Sequence, residues 1–399
     1  MARLTRDEEL ERIVRELNET APGDAMPARE SDWPPAAVPE GDALERLLVE
    51  MIQREASDLL ILAGAPPVFR IGGRITRADE TPFDATAVDS ILAPLLAPAV
   101  RRRMDADGAA DLTLRVHRGG DGRRSFRFRI NIHRQRGTLA AAVRALPPDV
   151  PTLAELNLPS VLADLVKPAR GLVLVCGATG SGKTTTLAAL VGEINRNVAR
   201  HVITIEDPVE YEHRNAKSVI EQVEVGRDAP SFAAALRASL RQDPDVILVG
   251  EMRDLETTAT AITAAETGHL ILSTLHTNDA AQAIHRIVDV FPPAQQAQIR
   301  QQLAMTLNAI VVQQLIPRAD GPGRAVAAEV LLANDAVRNH IRFGKLQQLA
   351  SEITLGKRQG MISFEESLAG LVRRGAIAPE EARIRASRPD ELESLLGRL

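Results

Sequence analysis

Residues 177–184 form an unbroken glycine-rich stretch whose residue types and spacing could hold an anion. They read G-x-x-x-x-G-K-T and directly follow an apolar run at residues 172–175. A backbone without Cβ atoms can fold around an anion, with its N–H groups turned inward at the start of a helix. Lys183 adds a mobile positive charge, and Thr184 supplies a hydroxyl to Mg²⁺. We therefore expect a nucleoside triphosphate here, held by Gly177, Ala178, Thr179, Gly180, Ser181, Gly182, Lys183, Thr184 and Thr185.

Carboxylates follow two other apolar runs that have the length of strands. Glu206 and Asp207 come directly after one run, and Gly250 and Glu251 come after the other. Ligands of open α/β sheets bind beyond the carboxyl ends of the strands. Hydrolysis of a triphosphate needs a metal near the β and γ oxygens and a carboxylate that orients water, so we expect Glu251 to position the water with Glu206 as its partner. Because Gly250 stands where many phosphate-loop ATPases have an aspartate, we expect metal contact through Thr184, water and the Glu206–Asp207 pair.

Two histidines, His269 and His276, flank a further apolar run. Their odd separation sends side chains to opposite faces of a regular strand, which argues against a shared metal ion. We expect them to sense phosphate or to contact a neighbouring subunit. The alternative is that each is an ordinary hydrogen-bonded histidine.

Composition narrows the class of protein. One cysteine among 399 residues can build neither a disulfide framework nor a four-cysteine zinc site. The formal net charge of −5 gives no general attraction to nucleic acid. Acidic residues stand near the start of the chain, where a signal peptide needs an apolar core, and no stretch approaches about 18 uninterrupted apolar residues. We expect a cytoplasmic protein that takes no zinc or nucleic acid and inserts no segment into a membrane.

The predicted elements divide the chain into five segments. After residue 170, apolar strands alternate with helical stretches, a pattern typical of a parallel sheet covered by helices. Before it, alternating runs at residues 111–117, 125–132 and 139–146 predict antiparallel strands. The segments are an N-terminal helix and flexible tether at 1–41, a small α+β domain at 42–146, a hinge at 147–151, an α/β domain with the phosphate loop at 152–332, and a helical region at 333–399.

Two local features are predicted within the small α+β domain. Gly72 and Gly73 separate two short apolar runs and are suited to a two-residue hairpin turn. The spacing of apolar residues over 88–104 predicts a single helix.

Four sequence blocks together resemble the secretion ATPase superfamily, in which they are called the Walker A motif, Asp box, Walker B motif and His box. They are residues 177–184, 205–210 (I-E-D-P-V-E), 243–254 (D-P-D-V-I-L-V-G-E-M-R-D) and 267–277 (T-G-H through L-H-T). Within the superfamily the chain is most similar to the PilT-like retraction ATPases of type IV pili, on residues 56–59 (A-S-D-L) and 65–70 (A-P-P-V-F-R). Residues 336–342 resemble the A-I-R-N-L-I-R motif of those ATPases and depart from it at Val337 and His340.

The resemblance implies a homo-hexameric ATPase that uses ATP and Mg²⁺, with a RecA-like ATPase domain after a PAS-like N-terminal domain. It implies that Arg129 and Arg144, at the positions of the family's γ-phosphate arginines, neutralise charge that develops during phosphoryl transfer. It further implies that the ring acts on a PilC-like platform protein at the cytoplasmic face of the inner membrane, and so powers pilus retraction and twitching motility.

Other functions stay open on the residues alone. The chain could be a pilus assembly or type II secretion ATPase, or an accessory retraction paralogue. Assembly and secretion ATPases usually carry a four-cysteine zinc loop, which one cysteine cannot build. A non-hydrolysing, nucleotide-dependent regulator is a further alternative, against which the intact Lys183, Glu206 and Glu251 count. A nucleic-acid motor would be expected to show a basic stripe, which the net charge of −5 does not support.

Overall fold

The structure is a computed structural model that describes residues 42–118 and 124–397. Contacts divide this part of the chain into two units, residues 42–149 and residues 150–397. The boundary after Asp149 falls inside the segment predicted as a hinge. The N-terminal helix and tether predicted at 1–41 lie outside the described residues.

The first unit is an antiparallel sheet with helices packed on its apolar side chains. Its elements are α1 (Ala43–Gln53), β1 (Asp58–Leu62), β2 (Val68–Ile71), β3 (Arg74–Arg77), α2 (Ala85–Leu92), α3 (Pro98–Asp107), β4 (Ala109–Arg118), β5 (Arg124–Gln135) and β6 (Thr138–Leu146). The six strands lie in the order β3-β2-β1-β6-β5-β4. Leu48, Leu59 and Phe128 are buried in its core. The predicted antiparallel strands are confirmed.

The hairpin predicted at Gly72–Gly73 is also confirmed. Ile71 pairs with Arg74 across the turn, and the two glycines have φ of 55° and 81°. Two positive φ angles in a two-residue loop match the right-handed twist of the flanking strands, and glycine adopts them without steric cost.

The single helix predicted over 88–104 is wrong. The chain instead forms α2, a short 3₁₀ turn (Ala93–Leu95) and then α3. Pro94 and Pro98 explain the break, because proline lacks an N–H group and its ring clashes with the preceding helical turn. Pro98 is accommodated in the first turn of α3, where an N–H has no intrahelical partner.

The second unit contains a seven-stranded sheet that carries the phosphate loop. Its elements are β7 (Gly171–Cys176), α4 (Lys183–Asn197), β8 (His201–Glu206), β9 (Val219–Glu224), α5 (Phe232–Ser239), β10 (Val246–Val249), α6 (Leu255–Glu266), β11 (Leu270–Leu275), α7 (Ala280–Asp289), α8 (Pro293–Thr306), β12 (Leu307–Pro317), β13 (Arg324–Leu332), α9 (Asp335–Arg342), α10 (Leu349–Leu355), α11 (Phe364–Arg373), α12 (Pro379–Arg385) and α13 (Pro389–Leu396). The strands lie in the order β13-β12-β7-β11-β10-β8-β9.

Every residue of β7, β10 and β11 is buried, as expected for strands with both faces covered. On one face, Val173 and Val175 pack in a cluster with Leu190 of α4. On the other, Leu174 packs in a cluster that includes Ile262 and Ile284 from α6 and α7. The phosphate loop therefore leaves a strand that is fixed from both sides.

The alternating pattern had predicted a parallel sheet, but the sheet is mixed. β13 runs antiparallel to β12, while the other neighbouring strands run parallel. Strands β9, β12 and β13 were not predicted. The β12–β13 connection is a hairpin, which needs no crossover helix and so breaks the strand–helix alternation on which the prediction rested.

Helices α9 to α13 make up the C-terminal part of the unit. Leu368 and Leu392 lie in a separate apolar cluster with Ile316 at the end of β12. Across residues 42–118 and 124–397, no helix combines the length and apolar character needed to cross a membrane.

Candidate active site

The phosphate loop connects β7 to α4, and its shape requires glycine at two positions. Gly177 has φ of 142° and Gly182 has φ of 89°. A Cβ atom on Gly177 would come 2.4 Å from the carbonyl oxygen of Gln313, and one on Gly182 would come 3.1 Å from the Nε2 of the same residue. The loop is therefore closed tightly against β12 on one side, where a side chain at either glycine would collide with Gln313.

Lys183 begins α4 and folds back over the loop. Its Nζ donates to the carbonyl oxygens of Gly177 and Ala178, at 2.9 Å and 3.0 Å. Burial lowers the pKa of the Lys183 ammonium, while Cys176 and Glu251 raise it. The charge is thus held inside the loop by two carbonyl groups, which phosphate oxygens can replace as stronger, charged acceptors.

Glu251 follows β10 and is positioned by the neighbouring strand. The Ser273 hydroxyl donates to the carbonyl oxygen of Val249 at 2.7 Å, and the Thr274 hydroxyl donates to that of Gly250 at 2.6 Å. These two bonds fix the end of β10 to β11 immediately before the glutamate. The predicted water-positioning carboxylate therefore stands on a restrained backbone.

Two basic side chains approach the Glu251 carboxylate. Its Oε2 lies 2.7 Å from the Nε of Arg253 and 3.8 Å from the Nε2 of His276. Burial lowers the pKa of His276, and Lys183 lowers it further against the opposite effect of Glu251. The lowered pKa favours the neutral imidazole, which offers one N–H donor and one ring-nitrogen acceptor beside the carboxylate.

Glu206 ends β8 with its carboxylate buried. Its Oε1 accepts from the hydroxyl of Thr204 at 2.7 Å and from the Nε2 of Gln222 at 3.2 Å. Asp207, the next residue, is exposed. Thr184, Glu206 and Asp207 present only oxygen donors, the ligand type that Mg²⁺ prefers, so their chemistry fits the predicted metal. The described residues contain no group of three or more His, Cys, Asp or Glu that would build an all-protein metal cage.

His269 lies at the opposite edge of the sheet from His276. It precedes β11, where its carbonyl accepts from Gly171 at the start of β7, and its Nδ1 lies 3.1 Å from the carbonyl oxygen of Ala264. Since β7 and β11 are parallel, the phosphate loop and His276 share the other edge. Within one subunit the structure brings His276 to Glu251 and keeps His269 away from both.

Three residues of the site were not predicted from the sequence. Gln313 binds the phosphate loop from β12, and the Tyr211 hydroxyl lies 3.0 Å from that of Thr185. Gln222 donates both to Glu206 and to the carbonyl of Tyr211. One signal was available for Gln313, since two glutamines interrupt the apolar run of β12. No pattern in the sequence pointed to Tyr211 or Gln222.

Arg129 and Arg144 belong to the first unit, where they are direct cross-strand partners on β5 and β6. The Nε of Arg144 lies 2.8 Å from Asp58, and that of Arg129 lies 3.3 Å from Asp111. The Arg144 side chain is 66% exposed and the Arg129 side chain is 36% exposed. Each is therefore held by a carboxylate but still accessible to a further anion.

Comparison with known proteins identifies the family of this chain. The model of the type II/IV secretion system protein family matches residues 138–364. The twitching motility protein of Neisseria gonorrhoeae is 41% identical over 349 residues, which cover 88% of this chain and 91% of that protein. The chain belongs to the type II/IV secretion system protein family. A second member, the type IV pilus retraction ATPase PilT of Pseudomonas aeruginosa, is 40% identical over 347 residues, or 87% of this chain and 99% of that protein.

A solved structure supports the same assignment for this secretion ATPase. The crystal structure of the pilus retraction motor PilT with bound ADP matches with a TM-score of 0.80 at 43% identity, over 88% of this chain and 99% of that one. The predicted α/β fold, with its ATPase domain, preceding α+β domain and C-terminal helices, is confirmed. The protein is a PilT-like secretion ATPase.

Proposed function

We propose that this secretion ATPase powers type IV pilus retraction, and through it twitching motility. The observation that carries the proposal is the extent of the match, because relatives named for retraction and twitching align over nearly their whole length. The single cysteine also argues against the zinc-loop architecture of assembly and secretion ATPases. An intact Lys183 and Glu251 favour a motor over a regulator that only binds nucleotide.

The chemistry that we propose follows from the side chains around the loop. Lys183 leaves the carbonyls of Gly177 and Ala178 to neutralise the β and γ phosphates of ATP. Glu251 orients the attacking water and accepts its proton, with His276 beside it as a neutral hydrogen-bonding group. Thr184, Glu206 and Asp207 would hold Mg²⁺, partly through water, and the metal would supply charge neutralisation at the phosphates.

We further propose that the working form is a homo-hexamer. Arg129 and Arg144 are partly exposed cations in the first unit and face each other on two directly paired strands, β5 and β6. In a ring they can approach the γ-phosphate of a bound nucleotide and stabilise the charge that develops on it. His269 lies on the sheet edge away from the loop, and in the ring it would contact a neighbouring subunit.

The proposed partner is a PilC-like platform protein of the inner membrane, contacted from the cytoplasmic face. Nucleotide turnover would change the relative affinity of the two domains for each other, and the ring would pass that motion to the platform. Retraction then follows from platform movement that removes pilin from the base of the pilus.

Deletion of the gene tests the proposal in the bacterium itself. Loss of retraction leaves excess surface pili without twitching, whereas loss of assembly leaves none. We expect excess pili, and restoration of twitching by the parent gene but not by Lys183→Ala. Absence of pili would instead assign the protein to assembly, and restoration by Lys183→Ala would assign it to a role that needs no hydrolysis.

A further inference from the structure

We propose that Gln313 is a positioning residue of the nucleotide site, which locks the Ser181–Gly182 peptide in its phosphate-binding orientation. Gln313 lies on β12, directly beside β7. The preceding residue, Val312, pairs with Cys176, the last residue of β7. Gln313 therefore stands level with the first residue of the phosphate loop, where the chain leaves the sheet.

Both ends of the Gln313 amide are engaged. Its Nε2 donates to the carbonyl oxygen of Ser181 at 2.7 Å, and its Oε1 accepts from the hydroxyl of Thr186 at 2.9 Å. The residue is 1% exposed, so water does not compete for either bond. Thr186 belongs to the first turn of α4, and the amide thus ties the middle of the loop to the helix that follows it.

The bond to Ser181 sets the direction of the next N–H group. A trans peptide is planar, so the N–H of Gly182 points opposite to the carbonyl of Ser181. Because that carbonyl is bound on the side of β12, the N–H faces the other side, where the loop's amides receive phosphate. A rotated peptide would place a carbonyl oxygen, which is an acceptor, against the phosphate oxygens.

The hydrogen bond from Gln313 is needed here because glycine does not fix the orientation of the Ser181–Gly182 peptide by itself. Gly182 has φ of 89°, in a region where glycine moves with little steric resistance. Glutamine fits the position because it offers one donor and one acceptor without a charge. Glutamate would keep the acceptor for Thr186 but would set a carboxylate against the Ser181 carbonyl.

The test measures affinity for ADP and for adenosine, which has no phosphate, by displacement of fluorescent mant-ADP from the full-length protein. We expect Gln313→Glu and Gln313→Leu to weaken ADP binding about tenfold, equivalent to about 1.4 kcal/mol, and to leave adenosine binding within twofold. The KM for ATP should rise in parallel with the dissociation constant for ADP. The matched control is Gln314→Leu, since alternate side chains of a strand face opposite sides.

Thr186 supplies a second pair of variants should leucine at 313 prevent folding. Thr186→Val removes one of the two amide bonds and should weaken ADP binding about threefold. Thr186→Ser retains the hydroxyl and should restore parental affinity.

The inference rests on the proposed use of the loop for phosphate, which the parent protein tests separately. A parent that does not bind ADP overturns the proposed function and this inference together. A folded Gln313→Glu protein with parental ADP affinity overturns the inference alone, as does an equal loss of ADP and adenosine binding.

Discussion

Gly250 lies against Ile205 at the end of the neighbouring strand β8, where its N–H donates to the Ile205 carbonyl oxygen at 2.8 Å. A Cβ atom at position 250 would come 3.2 Å from that oxygen and 3.3 Å from the ring of Phe232. Both distances are tighter than ordinary contacts. An aspartate, common at this position in other phosphate-loop ATPases, does not fit here without movement of β8 or Phe232.

Gly250→Ala should therefore destabilise the second unit by about 1–3 kcal/mol, the usual range for overpacking a closed site. A melting temperature lowered by several degrees would show it. Gly370→Ala is a suitable control, because that glycine lies inside α11 and its nearest neighbour is the flexible end of Arg374 at 3.4 Å. Its melting temperature should be unchanged or slightly higher, because alanine is the better helix former. Equal melting temperatures for Gly250→Ala and the parent would show that the site can relax.

Arg129→Ala and Arg144→Ala should each lower ATP turnover at least about tenfold, because a hydrogen-bonding cation at developing phosphate charge is typically worth that much or more. Affinity for ADP should stay within threefold, since the charge they stabilise develops only during hydrolysis. Arg70→Ala is the matched control, as Arg70 also lies beside Asp58, 3.5 Å away, but on β2. Parental turnover in both variants would show that these arginines do not contribute to catalysis.

Cys176, the only cysteine, should resist alkylation in the native protein. It is fully buried at the end of β7, and burial raises the pKa of its thiol to about 12. At pH 8 the thiolate fraction is then about a thousandfold lower than for a free cysteine. Mass spectrometry after iodoacetamide treatment should find the thiol unmodified until urea is added. Rapid native labelling would mean that the phosphate loop opens readily.

Glu329 should make stability fall as pH rises. It accepts from the N–H of Ala280 at 3.1 Å, and burial raises its pKa from 4.5 to about 7. Between these values the folded state binds the extra proton, so its stabilising effect is complete below pH 4.5 and is lost through pH 7. The full difference corresponds to about 3 kcal/mol.

Glu329→Gln should remove this dependence, because the neutral amide keeps an acceptor for Ala280. We expect its melting temperature to exceed that of the parent at pH 8.5 by more than it does at pH 5.5. Glu266→Gln, at an exposed glutamate, provides the control. The melting temperatures of the parent and Glu329→Gln could instead differ by the same amount at both pH values. That result would contradict the raised pKa of Glu329.

The local pattern of apolar and polar residues was sufficient to predict much of the fold. The strands at Val246–Val249 and Leu270–Leu275 coincide with the apolar runs before Gly250 and between His269 and His276, because polar residues and glycine bound each run. The break after Leu92 was missed although Pro94 marks it, since apolar periodicity alone does not register the loss of an N–H group.

The contacts that support the site could not be predicted from the local sequence pattern. Gln313 is 132 residues from Ser181, and only the strand order of the sheet brings them together. Tyr211 reaches Thr185 because the segment after β8 returns to the start of α4. Motif spacing predicted the loop and carboxylate residues of the candidate site, whereas the residues that hold them depend on tertiary pairing.

Steady-state ATP hydrolysis by the purified protein, with its oligomer mass recorded on the same samples, tests the central claim most directly. Glu251→Gln should lose at least about a hundredfold in turnover while it retains ADP binding and the hexamer, because it removes the base that orients water. Lys183→Ala should lose turnover and nucleotide affinity together, and Glu266→Gln should match the parent. A parent hexamer that binds ATP but turns it over no faster than Glu251→Gln would contradict the motor, and would leave the protein as a nucleotide-dependent regulator.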